Sequence, residues 1–142
     1  MFAVLFEKQL GKLIEEINAY ENEADIWTRR GEMPNSAGNL TLHLIGNLNH
    51  YIGANLGNSG YKRERDLEFL GKEVSRKELV KRIKNVSQTV SSTLSSLLNT
   101  ALFEDYPEEF LGETRNTFEV LVSTYAHLNY HLGQIDYHRR GI

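Results

Sequence analysis

The chain contains no cysteine among its 142 residues. That excludes a thiol nucleophile, a disulfide framework and any cysteine-ligated metal, and it is compatible with a reducing compartment. Only two prolines occur, Pro34 and Pro107, and both fall between periodic segments, so neither breaks an element. There is no surplus of positive charge: 16 Lys+Arg against 19 Asp+Glu leave a net charge of −3. Nucleic acid is therefore set aside as the main partner, since phosphate binding needs a basic surface. No apolar run is long enough to span a bilayer, and the opening Phe2-Ala3-Val4-Leu5-Phe6 is too short for a signal peptide. The expectation is a cytoplasmic protein without a membrane partner. Sustained apolar–polar alternation, the mark of strands, is missing as well.

What is present is helical periodicity. Hydrophobic content of 40% and charged content of 25% suit one globular domain over residues 1–142 with a sizeable core. Four segments repeat apolar residues at steps of three and four. The first runs from Phe2 to Tyr20 and carries Phe6, Leu10, Leu13, Ile17 and Tyr20. The second, Ser36 to Leu56, carries Leu40, Leu44, Leu48 and Tyr51. The third starts at Ser75, an N-cap candidate with Glu78 three residues on, and carries Leu79, Ile83, Val86, Val90, Leu94 and Leu97. The fourth begins near Thr114 and carries Phe118, Leu121, Tyr125, Leu128, Leu132 and Ile135. The expected fold is all-α, a four-helix bundle with a long polar connector, Gly57 to Glu73, between helices two and three that crosses the bundle end.

The chemistry-bearing residues are histidines. His127 and His131 lie four apart on the fourth helix, so at about 100° per residue their side chains return to within roughly 40° of one another. His43 flanks the apolar face of the second helix. If the two edges meet, three imidazoles form the open three-nitrogen set of a catalytic metal site. The competing reading is that such pairs only hydrogen-bond carbonyls. His50 and His138, about two turns away, read as structural or solvated. The glutamate of a His-Glu-x-x-His protease is absent. The nearest polar groups are Asn39, Asn47, Thr124, Tyr130 and Gln134, of which Asn47, Tyr130 and Gln134 are candidates to hold an imidazole or line a substrate groove. Beside His43 the acceptor is either Asn47 or, equally, a backbone carbonyl. No strong general base is evident. Lys62-Arg63-Glu64-Arg65, with Asp66 and Glu68 interleaved, reads as solvated connector. Trp27 reads as packing over a bundle end, or else as a wall of a substrate groove, and Ser91-Ser92 with Ser95-Ser96 as small residues that allow close packing, with a dimer seam as one place for it.

Three stretches carry a resemblance. Asn35-Ser36-Ala37-Gly38-Asn39-Leu40-Thr41-Leu42-His43-Leu44-Ile45-Gly46-Asn47 and His127-Leu128-Asn129-Tyr130-His131-Leu132-Gly133-Gln134-Ile135 resemble the helix-two and helix-four signatures of the DinB-like superfamily. Arg65-Asp66-Leu67-Glu68-Phe69 resembles an uncharacterised branch of it. The resemblance implies a metal triad of His43, His127 and His131, an antiparallel relation of helices two and four, a homodimer, and a divalent ion, zinc or nickel foremost. Some relatives resemble thiol-dependent S-transferases, which implies a low-molecular-weight thiol as co-substrate. Metal-bound water is acidified toward a pKa of about 7 in the best zinc cases, and a thiol is deprotonated by the same effect. The leading expectation is a metal-dependent enzyme. A metal-dependent hydrolase and a non-catalytic metal-binding or dimerising module stand beside it. A damage-response role on nucleic acid is suggested only by the superfamily's name.

Overall fold

In a computed structural model, which describes residues 1–71 and 73–141, the chain is all-helical. Five α-helices are present among the described residues: α1 Phe2–Asn18, α2 Ala37–Leu48, α3 Arg65–Leu70, α4 Arg76–Ser96 and α5 Thr117–Arg140. The four expected helices are α1, α2, α4 and α5. The only β-type pairings among these residues are two isolated bridges, Asp105–Asn116 and Phe110–Glu113.

The apolar stripes do what their spacing predicts. Phe6, Leu10, Leu13 and Ile17 of α1 are buried, as are Leu79, Ile83, Val86, Val90 and Leu94 of α4, and the two helices pack along one another. Leu121, Leu128 and Ile135 of α5 complete the main core. Each such side chain contributes about 1.5–3 kcal/mol relative to exposure. The stripe on α5 is shifted from the expected one. Phe118 is 41% exposed, and it stacks on Phe103 and meets Phe2 edge-on at the surface. Val120 and Thr124 are buried instead.

Caps set the boundaries. Ser75 Oγ accepts from the Glu78 N–H at 3.1 Å, as expected for an N-cap. The reciprocal half is missing because the Glu78 carboxylate pairs with Arg82. A complete capping box closes α5, between Asn116 and Glu119, and it starts the helix at Thr117 rather than near Thr114.

α2 departs most from a one-faced helix: every residue from Ala37 to Leu48 is buried. The cause is the connector. It does not simply cross the bundle end; it carries α3, which packs on α2. Asn39 Nδ2 donates to the carbonyls of Glu68 (3.1 Å) and Phe69 (3.3 Å). Gly46 leaves the space that the Glu68 carboxylate fills. At its other end α2 continues as a π-helical stretch, Asn49–Ala54. The ladder there steps from the His50 carbonyl to that of Ile52, and the Tyr51 carbonyl between them accepts from the Tyr106 hydroxyl at 2.5 Å. Such π insertions are frequent beside functional sites. Trp27 lies in a short 3₁₀ turn, Glu23–Trp27, with its ring directly over Gly38 at the start of α2.

Candidate metal centre

The mid-portion of α2 faces the mid-portion of α5, and there the three histidines meet. His43 Nε2 lies 3.0 Å from His127 Nε2, and His131 Nε2 lies 3.1 Å from the same atom. One ring nitrogen from each residue falls within 4.8 Å of the others. The rings stand edge to face, at 74–89° to one another, with centroids 4.5–5.2 Å apart.

The outer nitrogens explain why the inner ones are bare. Glu68 is buried, and its Oε1 accepts from His43 Nδ1 at 3.0 Å. Gln134 Oε1 accepts from His131 Nδ1 at 2.7 Å. A carboxylate or amide oxygen can only accept, so both Nδ1 atoms carry the proton and both Nε2 atoms present lone pairs. Arg63 completes the support: its Nε and Nη2 donate to the two oxygens of Glu68, each at 2.9 Å. Burial pushes the Glu68 carboxyl up, but hydrogen bonds from His43 and Arg63 outweigh it and hold the group below its ordinary range.

His127 Nε2 faces two acceptor nitrogens, at 3.0 and 3.1 Å; it can donate a proton to one of them, or, with its proton on Nδ1, all three nitrogens offer lone pairs to a cation. Ligand nitrogens about 2.0–2.1 Å from a tetrahedral ion lie roughly 3.3–3.4 Å apart, close to the two distances to His127. Electrostatics agree. Burial, then the neighbouring imidazoles, then Arg63 and Arg65 lower His127 to about 4 from 6.5. Burial also lowers His131, and the Gln134 hydrogen bond offsets this only in part. Neutral imidazole is the ligating form. His127 Nδ1 is buried and has no hydrogen-bond partner among the described residues.

Glu68 and Arg63 are corrections to the sequence reading, which placed both in solvated connector. Alternating charge suggested exposure, and only the fold brings Glu68 against Gly46. Asn47 does not hold His43 either. It lies beside the cluster with its buried Oδ1 unpartnered. Gln134, by contrast, meets an imidazole, that of His131. Tyr130 is exposed and rests against the His131 ring at 5.2 Å. His138 is structural: Nε2 donates to the Thr28 carbonyl and Nδ1 accepts from the Tyr20 hydroxyl, both at 2.7 Å. His50 pairs with Glu108 at 2.8 Å.

The cluster opens on a cavity of about 330 Å³ bordered by His43, Asn47, Tyr51, Arg63, Arg65, Phe110, Leu111, Ser123, Thr124 and His127. Leu111 holds φ +53° in the tight turn that forms this wall, followed by Gly112 at +78°. The left-handed region is costly for a leucine.

All-helical architecture with three imidazoles that could hold one metal ion across two helices defines the class of this protein. Within that class the chain belongs to the family described as "Protein of unknown function (DUF1572)", whose sequence profile matches residues 5–142. No curated protein matches it. No helix of the described residues is long and apolar enough to cross a membrane.

Proposed function

We propose that the chain is a single DinB-like four-helix-bundle domain and a metal-dependent enzyme, with His43, His127 and His131 holding a divalent transition metal, zinc or nickel. The observation that carries this is that the Nε2 atoms of His43 and His131 lie 3.0 and 3.1 Å from that of His127, the first two residues having Nδ1 tied to an acceptor. When bound, such an ion keeps its positive charge against neutral ligands and lowers the pKa of a thiol or water at its open position. Glu68 and Gln134 fix the tautomer and direction of two imidazoles, and Arg63 holds Glu68 in place. Tyr51 and Phe110, in edge-to-face contact at 5.2 Å, give the cavity an apolar wall that limits water.

No Asp or Glu borders the cavity among the described residues. Hydrolysis profits from a base that takes a proton from water, whereas a thiol, far more acidic than water to begin with, would give up its proton to solvent beside a cation without one. That favours thiol transfer over hydrolysis, with a low-molecular-weight thiol as co-substrate; the homodimer is proposed on the family resemblance alone. The test is elemental analysis of untagged protein beside His127→Ala. About one zinc or nickel per chain, lost in the variant while the helical circular dichroism is kept, is the expected result. No metal in either protein after incubation with zinc and with nickel overturns the reading.

A further inference from the structure

The chain as a whole is acidic, at −3, yet the cavity beside the imidazoles is lined by two arginines and no carboxylate. Arg63 is neutralised by Glu68. Arg65 makes no ion pair and no side-chain hydrogen bond among the described residues, though its side chain borders the cavity at the start of α3. Both arginines sit close enough to His127 to act on it electrostatically. Asn47, 8% exposed, lines the same space with an unpartnered oxygen that needs a donor. A guanidinium with no carboxylate partner, beside an apolar wall, is the recognition chemistry of a small oxyanion-bearing molecule.

We propose that this cavity takes a small ligand with an anionic oxygen group, a carboxylate or phosphate held by Arg65, and a further donor hydrogen-bonded to Asn47. The proposal rests on the metal reading only for the ligand's other end, which would carry the thiol toward His43 and His127. Arg65 is exposed at the cavity rim, so solvent screens its pull on an anion, and the expected gain in affinity is held to roughly tenfold.

Calorimetric titration of zinc-loaded protein with 3-mercaptopropionate and with 2-mercaptoethanol tests it. The acid should bind roughly tenfold tighter. Arg65→Gln should bring the two within about twofold, and Arg65→Glu should reverse the order. Equal affinities in the native protein, with zinc retained, overturn the anion site and leave the metal reading standing. Should neither zinc nor nickel be retained, the metal reading fails and metal-free protein is titrated with propionate and with inorganic phosphate. Binding that Arg65→Gln weakens upholds the anion site and identifies which oxyanion it prefers, and no binding of either overturns it.

Discussion

His43 and His131 present their Nε2 atoms in the same way but are held differently, and the difference is testable. The acceptor behind His43 is a buried carboxylate locked by Arg63. The acceptor behind His131 is an exposed amide that water can replace. Replacing Glu68 by Gln keeps the shape but removes the charge that raises imidazole basicity. Zinc affinity, measured by competition with a chromophoric chelator, should fall about 10–100-fold. Gln134→Ala should cost clearly less. His127 sets a pH dependence of the metal-free protein. Its folded pKa is about 4 against 6.5, so between these values the unfolded chain binds more protons than the folded one. Stability is then lost as pH falls from 6.5 toward 4. The unfolding midpoint of chelator-treated protein should drop through that window more steeply than that of His127→Gln. Sequence made the three imidazoles and Gln134 legible, because helical spacing and the resemblance both point to them. It hid Glu68, which is 25 residues from its partner His43 in a stretch whose mixed charges read as solvated.

At the scale of elements, the stripes on α1 and α4 were readable because each runs over four or five turns of strict periodicity. α3 was not, since six residues give less than two turns and no measurable period. Nor was the π-helical stretch that ends α2, whose residues continue the apolar pattern of an ordinary helix. What attaches α3 is the fit of the Glu68 carboxylate over Gly46, where an added Cβ would overlap the carboxylate itself. That carboxylate is the end of a flexible side chain, but Arg63 and His43 both hold it. Gly46→Ala should therefore displace Glu68 and loosen α3 despite the better helix propensity of alanine, about 1 kcal/mol in its favour. The expected net loss is about 1–3 kcal/mol by chemical denaturation. Faster amide exchange should follow in residues 65–70, together with weaker zinc binding. Unchanged exchange there would show that α3 is held by something other than this contact.

For the molecule as a whole, the candidate ligands matter because of where they stand in the chain. His43 and His127 are 84 residues apart and come from helices that the core alone must otherwise hold together. An ion bound to the folded chain and not to the unfolded one stabilises it by mass action, about 2.7 kcal/mol at a free concentration 100 times Kd. For a chain of this length that raises the unfolding midpoint by roughly 8–10 °C. Scanning calorimetry with and without zinc should show such a rise, reversed by a chelator and absent in His127→Ala. The metal-free variant should unfold close to the metal-free native protein. A rise that persists in His127→Ala would place the zinc elsewhere. A metal-free native protein as stable as the loaded one would mean that the three imidazoles are held by the fold and not by an ion.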